Sequence, residues 1–451
     1  MKERGSQTSV GVVGLGHVGL CTAVAFASRR IATIGIDVDE EKVRSISRGK
    51  APFVEKDLPG FLSRAISSKR LTTSSDASEL ASAAHIFITV PTPNSHDGSI
   101  DLSFVKSAIE TIGGVLKESR GYKVVVVKST VTPGTALNEL LPTITRAAGK
   151  KLGEFGLASN PEFLREGHAI EDTLHPDRIV IGTEDRKSQR GMLSLYRTFY
   201  GRLPRCLLTT TVNAELVKYA SNSFLATRVS FINEIANLCA RLQGADVSVV
   251  AEGMGLDSRI GRTFLRAGLG FGGSCFPKDV SALLMASEAA GAKLGVVEAA
   301  ALTNKSQPFV AVDLAEGLVG DLRGKRVALL GLAFKPESDD MRDAVSLELI
   351  PRLVEKGAAV VAYDPAAMEN ARAKLGETIE YASSARECLR RADCCILVTE
   401  WPQFSRLRPV DFKGLMRVPA VVDGRRLFSA DSFLKSGVKF SAVGLGPRKT
   451  T

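Results

Sequence analysis

The chain has 451 residues, enough at roughly 150 residues per domain for about three domains with cores of their own. Hydrophobic residues at 44% and charged residues at 24% exclude a disordered chain, and the length excludes a small scaffold stapled by disulfides. The formal net charge of +10 favours anionic partners, but the basic residues are scattered and aromatics reach only 6%, which fits a phosphorylated small molecule better than nucleic acid.

Residues 10 to 27, VGVVGLGHVGLCTAVAFA, follow Lys2 and Arg4 and outline the apolar run of a signal peptide or membrane span. Four glycines and His17 interrupt it, and a strand, a glycine turn and a helix explain the same residues together with their spacing. No other run goes uncharged for long enough to cross a bilayer, so no membrane partner is expected.

Gly14, Gly16 and Gly19 form G-x-G-x-x-G directly after a strand and at the start of an apolar helix. The first permits the turn, the second lets backbone approach a pyrophosphate, and the third allows close helix–strand packing, with the helix N-terminus facing the phosphates. Asp37, 18 residues beyond Gly19, ends the second strand, where a carboxylate accepts from ribose hydroxyls and repels a 2′-phosphate. NAD is therefore favoured over NADP; FAD shares the fingerprint.

From residue 8 to 200, β-branched runs (SVGVVG, ATIGID, HIFITVP, KVVVVKST, GLASNP, RIVIG) alternate with helical stretches such as 101 to 118. This alternation predicts a parallel sheet covered on both faces. Ser129 and Thr130 close one strand at the edge where open α/β sheets bind ligands; they either hold a water or the nicotinamide amide or cap the turn TPGT. Glu162 and Glu166, in NPEFLREG, form a four-residue pair at the same edge. His175, before a proline in LHPDR, is assigned to the turn, and with no His cluster no metal site is expected.

Residues 213 to 243 contain neither Gly nor Pro, which predicts one helix of 31 residues ended by Gly244. Its many apolar residues (Leu216, Val217, Phe224, Leu225, Phe231, Ile232, Ile235, Leu238) suggest a connector between domains that packs on a second subunit. Lys218 and Asn222, four apart, share a face that either addresses an oxyanion or is simply solvated.

Residues 268 to 279, GLGFGGSCFPKD, place Cys275 at a helix start, with Pro277 suited to the first turn and Val280, Leu283 and Leu284 on one face. A thiol there, beside Lys278 and exposed N–H groups, ionises more readily than a free cysteine, whose pKa is about 8.5. A reactive cysteine together with an NAD site suggests oxidation through a thiohemiacetal and a thioester. The seven cysteines are odd in number and irregularly spaced, which argues for reduced thiols and a cytoplasmic setting.

From Lys325 the alternation restarts with KRVALLGLAF, a helix near 345 to 356, AAVVAYDP, CCILVTE and AVVDG. Gly331 to Asp364 spans 33 residues against 23 from Gly14 to Asp37, so the second copy carries a charged insertion, KPESDDMRD. The fold class is therefore α/β: two Rossmann-like parallel-sheet domains joined by a long central helix and a helical dimerisation region. The expected divisions are 1–205, 206–310 and 311–451.

Taken in order, GVVGLGHVGL, VPTP, KSTVTPGT, NPEFLREG, LHPDRIVIG, KYASNSFLA, FINEIANLC, GFGGSCFPKD, GLAFKPESDDMRD and VTEWPQF resemble the UDP-glucose 6-dehydrogenase family, within the nucleotide-sugar dehydrogenases that include GDP-mannose 6-dehydrogenase. The resemblance implies an NAD-binding domain, a central dimer-forming region, a UDP-sugar-binding domain and a four-electron oxidation of the sugar C6 alcohol with two NAD reduced. It makes Cys275 the nucleophile, Lys218 and Asn222 the oxyanion donors, and Asp279 with Thr130 a base and water network, with Glu162 assisting thioester hydrolysis. NAD would be held by Gly14, Gly16, Val18, Gly19, Asp37, Lys42, Pro91, Thr92, Thr130, Glu166, Lys278 and Arg342. The substrate would meet Glu162, Phe163, Leu164, Arg165, Glu166, Lys218, Asn222, Phe271, Gly272 and Lys335, with Arg259 reaching the substrate of the neighbouring subunit of a homodimer or higher homo-oligomer.

Two positions depart from the family pattern: His17 stands where an aromatic residue is usual, and Arg426, in VVDGRRLF, where Asn is usual, which lowers the weight on its neighbour Arg425. LREG with LHPDRIVIG looks like the UDP-glucose branch. The alternatives are GDP-mannose or a UDP-N-acetylhexosamine, a hydroxyacid dehydrogenase of the 6-phosphogluconate type, or a non-enzymatic nucleotide-sugar sensor.

Overall fold

The computed structural model describes residues 9–95 and 98–448, so Lys2 and Arg4 lie outside the described residues. The chain divides into two compact units, one ending at Ser221 and the other starting at Asn222.

In the first unit β1 (Ser9–Val13), α1 (His17–Ser28), β2 (Ala32–Ile36), β3 (Leu71–Ser74), β4 (His85–Ile88), α2 (Ser103–Glu118), β5 (Val124–Val127), β6 (Gly156–Ser159), α3 (Ala169–Leu174), β7 (Ile179–Thr183) and β8 (Cys206–Thr209) build one eight-stranded sheet. Its order is β3-β2-β1-β4-β5-β6-β7-β8, so the strand order reverses between β1 and β4, where open α/β sheets form their ligand crevice. β5 is VVVV, buried throughout, as a strand covered on both faces must be. α1 is buried from Gly19 to Ala27, so the run that outlined a signal peptide is a core helix.

The expectation of a parallel sheet needs one correction: β6 and β7 run antiparallel, Ala158 opposite Thr183 and Ser159 opposite Gly182. A parallel crossover needs a helix laid across the sheet. The segment between these strands holds only the six residues of α3.

The long helix α4 (Thr211–Cys239) begins in the first unit and continues into the second; it has 29 residues rather than 31. It stops short of Gly244 because the chain tightens first: the Arg241 and Leu242 N–H groups donate to Leu238 and Cys239, at 3.0 Å each.

The second unit holds α5 (Phe276–Ala289), β9 (Arg326–Leu330), α6 (Val345–Glu355), β10 (Ala359–Tyr363), β11 (Glu380–Tyr381), β12 (Cys394–Leu397), β13 (Ala420–Asp423) and β14 (Lys439–Ala442). Its sheet, ordered β11-β10-β9-β12-β13-β14, is parallel in every pairing. Both sheets thus repeat one plan.

The glycine turn after β1 is sterically locked. A Cβ on Gly19 would lie 1.8 Å from the Gly14 carbonyl oxygen, and Gly14 itself has φ +91 with the Val90 backbone 3.0 Å from its would-be Cβ. A Cβ on Gly16 would meet nothing within 4 Å. Gly19→Ala should therefore cost about 1–3 kcal/mol of stability by overpacking, while Gly16→Ala should change it by less than about 1 kcal/mol, read as midpoints of urea unfolding.

Candidate active site

The turn between β1 and α1 presents an anion receptor. Gly16 is exposed, no side chain caps the helix that follows, and the N–H groups of its first turn remain for a ligand. Asp37 lies alongside, buried, with Oδ2 accepting the Leu15 N–H at 2.7 Å and Oδ1 accepting the Asp39 N–H at 3.0 Å. Lys42 reaches the same carboxylate at 3.0 and 3.1 Å, so two predicted cofactor residues meet. Val18 is half-buried in the first turn of α1. These residues fit a dinucleotide pyrophosphate and its ribose.

The second unit carries the same strand-terminal carboxylate but closes it off. Asp364 accepts N–H groups from Leu332, Ala333, Ala366, Ala367 and the Trp401 indole, at 2.7 to 3.0 Å. A carboxylate offers about four lone-pair sites, so none is left for a ribose. This glycine turn is built like the first but does not receive a dinucleotide in the same way.

At the carboxyl edge of the first sheet, the Ser129 hydroxyl donates to the Val90 carbonyl at 2.6 Å, which ties the segment after β5 to the one carrying Pro91 and Thr92. The TPGT turn is closed instead by Thr132 and Thr135, whose hydroxyls meet at 2.9 Å. Thr130 lines a small pocket of about 10 Å³ with Ser129, Ser159, Glu215 and Lys218.

Glu162 and Lys218 form a buried ion pair at 2.8 Å, and Glu162 also accepts the Leu164 N–H at 2.6 Å. Burial opposes the Glu162 charge, but the Lys218 ammonium, the Leu164 N–H and Lys128 outweigh it and hold the carboxyl below its usual range. Lys128, not singled out from the sequence, has its pKa drawn down to about 8 by burial and by Lys218, against the pull of Glu162. Its signal was a lone charge at the end of the VVVV strand. Phe163 carries the Arg178 guanidinium 3.8 Å above its ring. Arg165 is exposed and clasped by Asp172 at 2.6 Å, and Glu166 is half-buried next to it.

The segment bearing these residues is held by Glu55, which sequence reading missed. Its carboxylate accepts the Gly167 and Ala169 N–H groups at 2.8 Å each and meets His17 Nε2 at 2.9 Å. His17 also stacks on Phe53 with ring centroids 4.0 Å apart, so the unusual residue at this position still makes an aromatic contact. Glu55 lies 112 residues from Gly167, and no local pattern announces it.

In the second unit Cys275 is the N-cap residue of α5 and is exposed, with Ser274 Oγ 3.6 Å from its sulfur. All seven cysteines are among the described residues; Cys206 is half-buried and the other five are buried. Asn222 donates to Asp279 at 2.6 Å, Lys278 pairs with the same carboxylate at 2.7 Å, and the Asp279 N–H donates to the Cys275 carbonyl at 2.8 Å. Along α4, Lys218 and Asn222 thus stand one turn apart, each committed to a buried carboxylate.

The loop before Cys275 is pressed against the insertion of the second Rossmann unit. A Cβ on Gly272 would fall 2.0 Å from the Asp343 carbonyl oxygen, and the Gly273 N–H donates to the Arg342 carbonyl at 3.0 Å. Phe271 exchanges two hydrogen bonds with the Asn304 amide, at 2.8 and 3.0 Å. Lys335 Nζ lies 5.4 Å from the Phe334 ring centroid, and the exposed Arg342 is clasped by Asp340 at 2.6 Å. Arg425, given little weight from the sequence, donates to the Gly270 and Val398 carbonyls at 3.1 and 2.6 Å and so belongs to the loop's support. Arg426 adopts φ 55 and binds Asp246 through two contacts of 2.6 Å, an ion pair that Asn, the usual residue here, could not make. Arg259 is exposed and bound to Asp257 at 2.6 Å.

Residues 8–200 match the NAD binding domain of the UDP-glucose/GDP-mannose dehydrogenase family, residues 212–306 its central domain and residues 328–430 its UDP binding domain. The chain is 42% identical over 436 residues to UDP-glucose 6-dehydrogenase TuaD of Bacillus subtilis (strain 168), covering 96% of this chain and 93% of that one. A solved UDP-glucose dehydrogenase from Pyrobaculum islandicum superposes with a TM-score of 0.89 at 40% identity, covering 99% of both chains. A solved UDP-D-ManNAc dehydrogenase from Pyrococcus horikoshii gives 0.86 at 27% identity, covering 97% of this chain and 99% of that one. Family domains that follow one another along nearly the whole length, over a turn built to take the cofactor, place this chain in the UDP-glucose/GDP-mannose dehydrogenase family as an NAD-dependent dehydrogenase.

Proposed function

We propose that this enzyme oxidises UDP-glucose at C6 to UDP-glucuronate, with residues 1–205 binding NAD, 206–310 forming the dimer and much of the active site, and 311–451 holding the UDP-sugar. The observation that carries the reading is Cys275, an exposed thiol at the N-terminus of a helix, preceded by a loop pinned against the second Rossmann unit. Identity of about 40% to chains named for UDP-glucose, against 27% to one named for an N-acetylhexosamine nucleotide, supports glucose over the alternative sugars.

Bound at the β1 turn, NAD would supply the hydride acceptor for each of the two oxidation steps. Thr130 and Asp279 organise the water and proton traffic at the C6 alcohol. The Cys275 thiolate then adds to the aldehyde carbon, and Lys218 and Asn222 donate to the resulting oxyanion. Loss of a second hydride gives the thioester. A water assisted by Glu162 cleaves the C–S bond, releasing the carboxylate and returning the thiol. One alcohol, one water and two hydride transfers balance the four-electron change.

Phe224, Phe231 and Leu238 are exposed by 63, 46 and 54% at seven-residue spacing on α4, which supports a partner helix laid along that stripe in a homodimer. The exposed Arg259 is then available to a neighbouring substrate. No helix among the described residues is long and apolar enough to cross a membrane. None of the cysteines is joined in a disulfide, in keeping with a cytoplasmic enzyme.

Two NADH should form per UDP-glucose consumed, and Cys275→Ser should lower kcat by at least about 10³-fold; a single NADH, or a fully active serine variant, contradicts the covalent route. Phe224→Asp with Phe231→Asp should shift the mass measured by light scattering from dimer to monomer.

A further inference from the structure

The candidate mechanism leaves one buried carboxylate unused. Glu215 lies on α4, three residues before Lys218 and 4% exposed. Its Oε2 accepts the Gly134 N–H at 2.6 Å, and its Oε1 accepts the Ala136 N–H at 3.1 Å and the Ser159 hydroxyl at 3.2 Å. The loop from Ser129 to Ala136 is therefore anchored at both ends, by Ser129 on the Val90 carbonyl and by Glu215 on Gly134 and Ala136. Thr130 lies between the anchors and shares the small pocket with Glu215 and Lys218. About 10 Å³ is room for roughly one water, with Val127, Val131 and Pro161 completing the lining.

We propose that Glu215 is a positioning residue for the reaction: its carboxylate fixes the Ser129–Ala136 loop on α4 and so sets Thr130 beside Lys218. The inference rests on the roles given above to Thr130 and Lys218. Each carboxylate oxygen accepts an N–H, and a neutral carboxyl accepts more weakly than a carboxylate and carries an O–H of its own to place, so protonation loosens the hold on Gly134 and Ala136. Among the described residues, the charged groups near Glu215 are Glu184, whose Oε1 accepts from Thr211, and Lys218 on its own helix, while the loop and β6 turn the Gly134 and Ala136 N–H groups and the Ser159 hydroxyl toward it. Burial pushes the carboxyl up to about 7, with Glu184 adding and the three donors opposing.

The sign is distinctive. Between the ordinary value of 4.5 and about 7 the folded chain keeps a proton that the unfolded chain has lost, so the Glu215 contribution to stability falls as pH rises through this window. Over the same window the loop becomes anchored and turnover rises. A merely structural carboxylate would move activity and stability together.

The test uses the full-length enzyme with UDP-glucose and NAD, following kcat, both KM values and melting temperature from pH 5.5 to 9. Glu215→Gln should lower kcat at least about tenfold at pH 8 with both KM values within about threefold, keep or raise the melting temperature, and lose the acidic limb near pH 7. Ser159→Ala, a milder change that tests the idea even if the first variant does not fold, should move that limb upward by about 0.3–0.5 pH unit through loss of one donor to the charged form. An unchanged kcat in Glu215→Gln, a loss that tracks the melting temperature, a limb that persists without the carboxylate, or an unmoved limb in Ser159→Ala overturns the inference. Lys218→Ala separates it from the underlying reading: full turnover there sinks that reading, whereas an inactive Lys218→Ala with a fully active Glu215→Gln sinks only the role of Glu215.

Discussion

Buried carboxylates that accept backbone N–H groups hold this enzyme's functional loops in place. Asp37 clasps the glycine turn after β1 through Leu15, Asp364 does the same for the turn after β9, and Glu55 holds Gly167 and Ala169. The need is physical: a loop leaving the carboxyl end of a strand has N–H groups that no neighbouring strand satisfies, and an orphaned buried donor costs about 1–3 kcal/mol. A carboxylate satisfies two or more at once with short, charge-assisted bonds, and those donors stabilise its own charge in return.

The same device yields different outcomes according to what else reaches the carboxylate. Asp364 is saturated by five protein donors, the Trp401 indole among them, so the motif VTEWPQF serves to seal that turn. Asp37 has two backbone donors and one ammonium, beside an exposed Gly16. One strand–turn–helix–strand plan thereby gives one turn suited to a dinucleotide and one that is structural. Side chains from distant segments set the difference, and the spacing of glycine and aspartate does not contain it.

That contrast marks what was legible in the sequence. Apolar alternation and glycine punctuation located β1, β2, β4, β5, β6 and β7 and the restart at β9, because these are local signals that burial enforces. They missed β3, β8, β11 and β14, the outermost strands of the two sheets, and the antiparallel direction of β7, which depends on how the intervening chain packs. Among the candidate functional residues, Cys275, Lys218, Asn222 and the fingerprint glycines stand out by residue type and spacing. Glu55 and Arg425 do not, since their partners are 112 and 155 residues away. Glu215 offered a weak clue, three residues from Lys218 and so on the same helical face.

The charged insertion that separates the two Rossmann copies has a structural explanation in the loop it supports. Residues 335 to 343 lengthen the second turn, and their backbone forms the wall against which Gly272 and Gly273 lie, through the Asp343 and Arg342 carbonyls. A side chain at Gly272 would collide with fixed backbone rather than with a movable group, so the loop can close on that wall only as glycine. Arg425, just after β13 of the same sheet, donates to the Gly270 carbonyl and adds a second hold on the loop. Cys275 is thus presented by a loop whose flexible residues are immobilised by their neighbours. Glycine supplies the close approach here, and the second Rossmann unit supplies the rigidity that the proposed role of Cys275 requires.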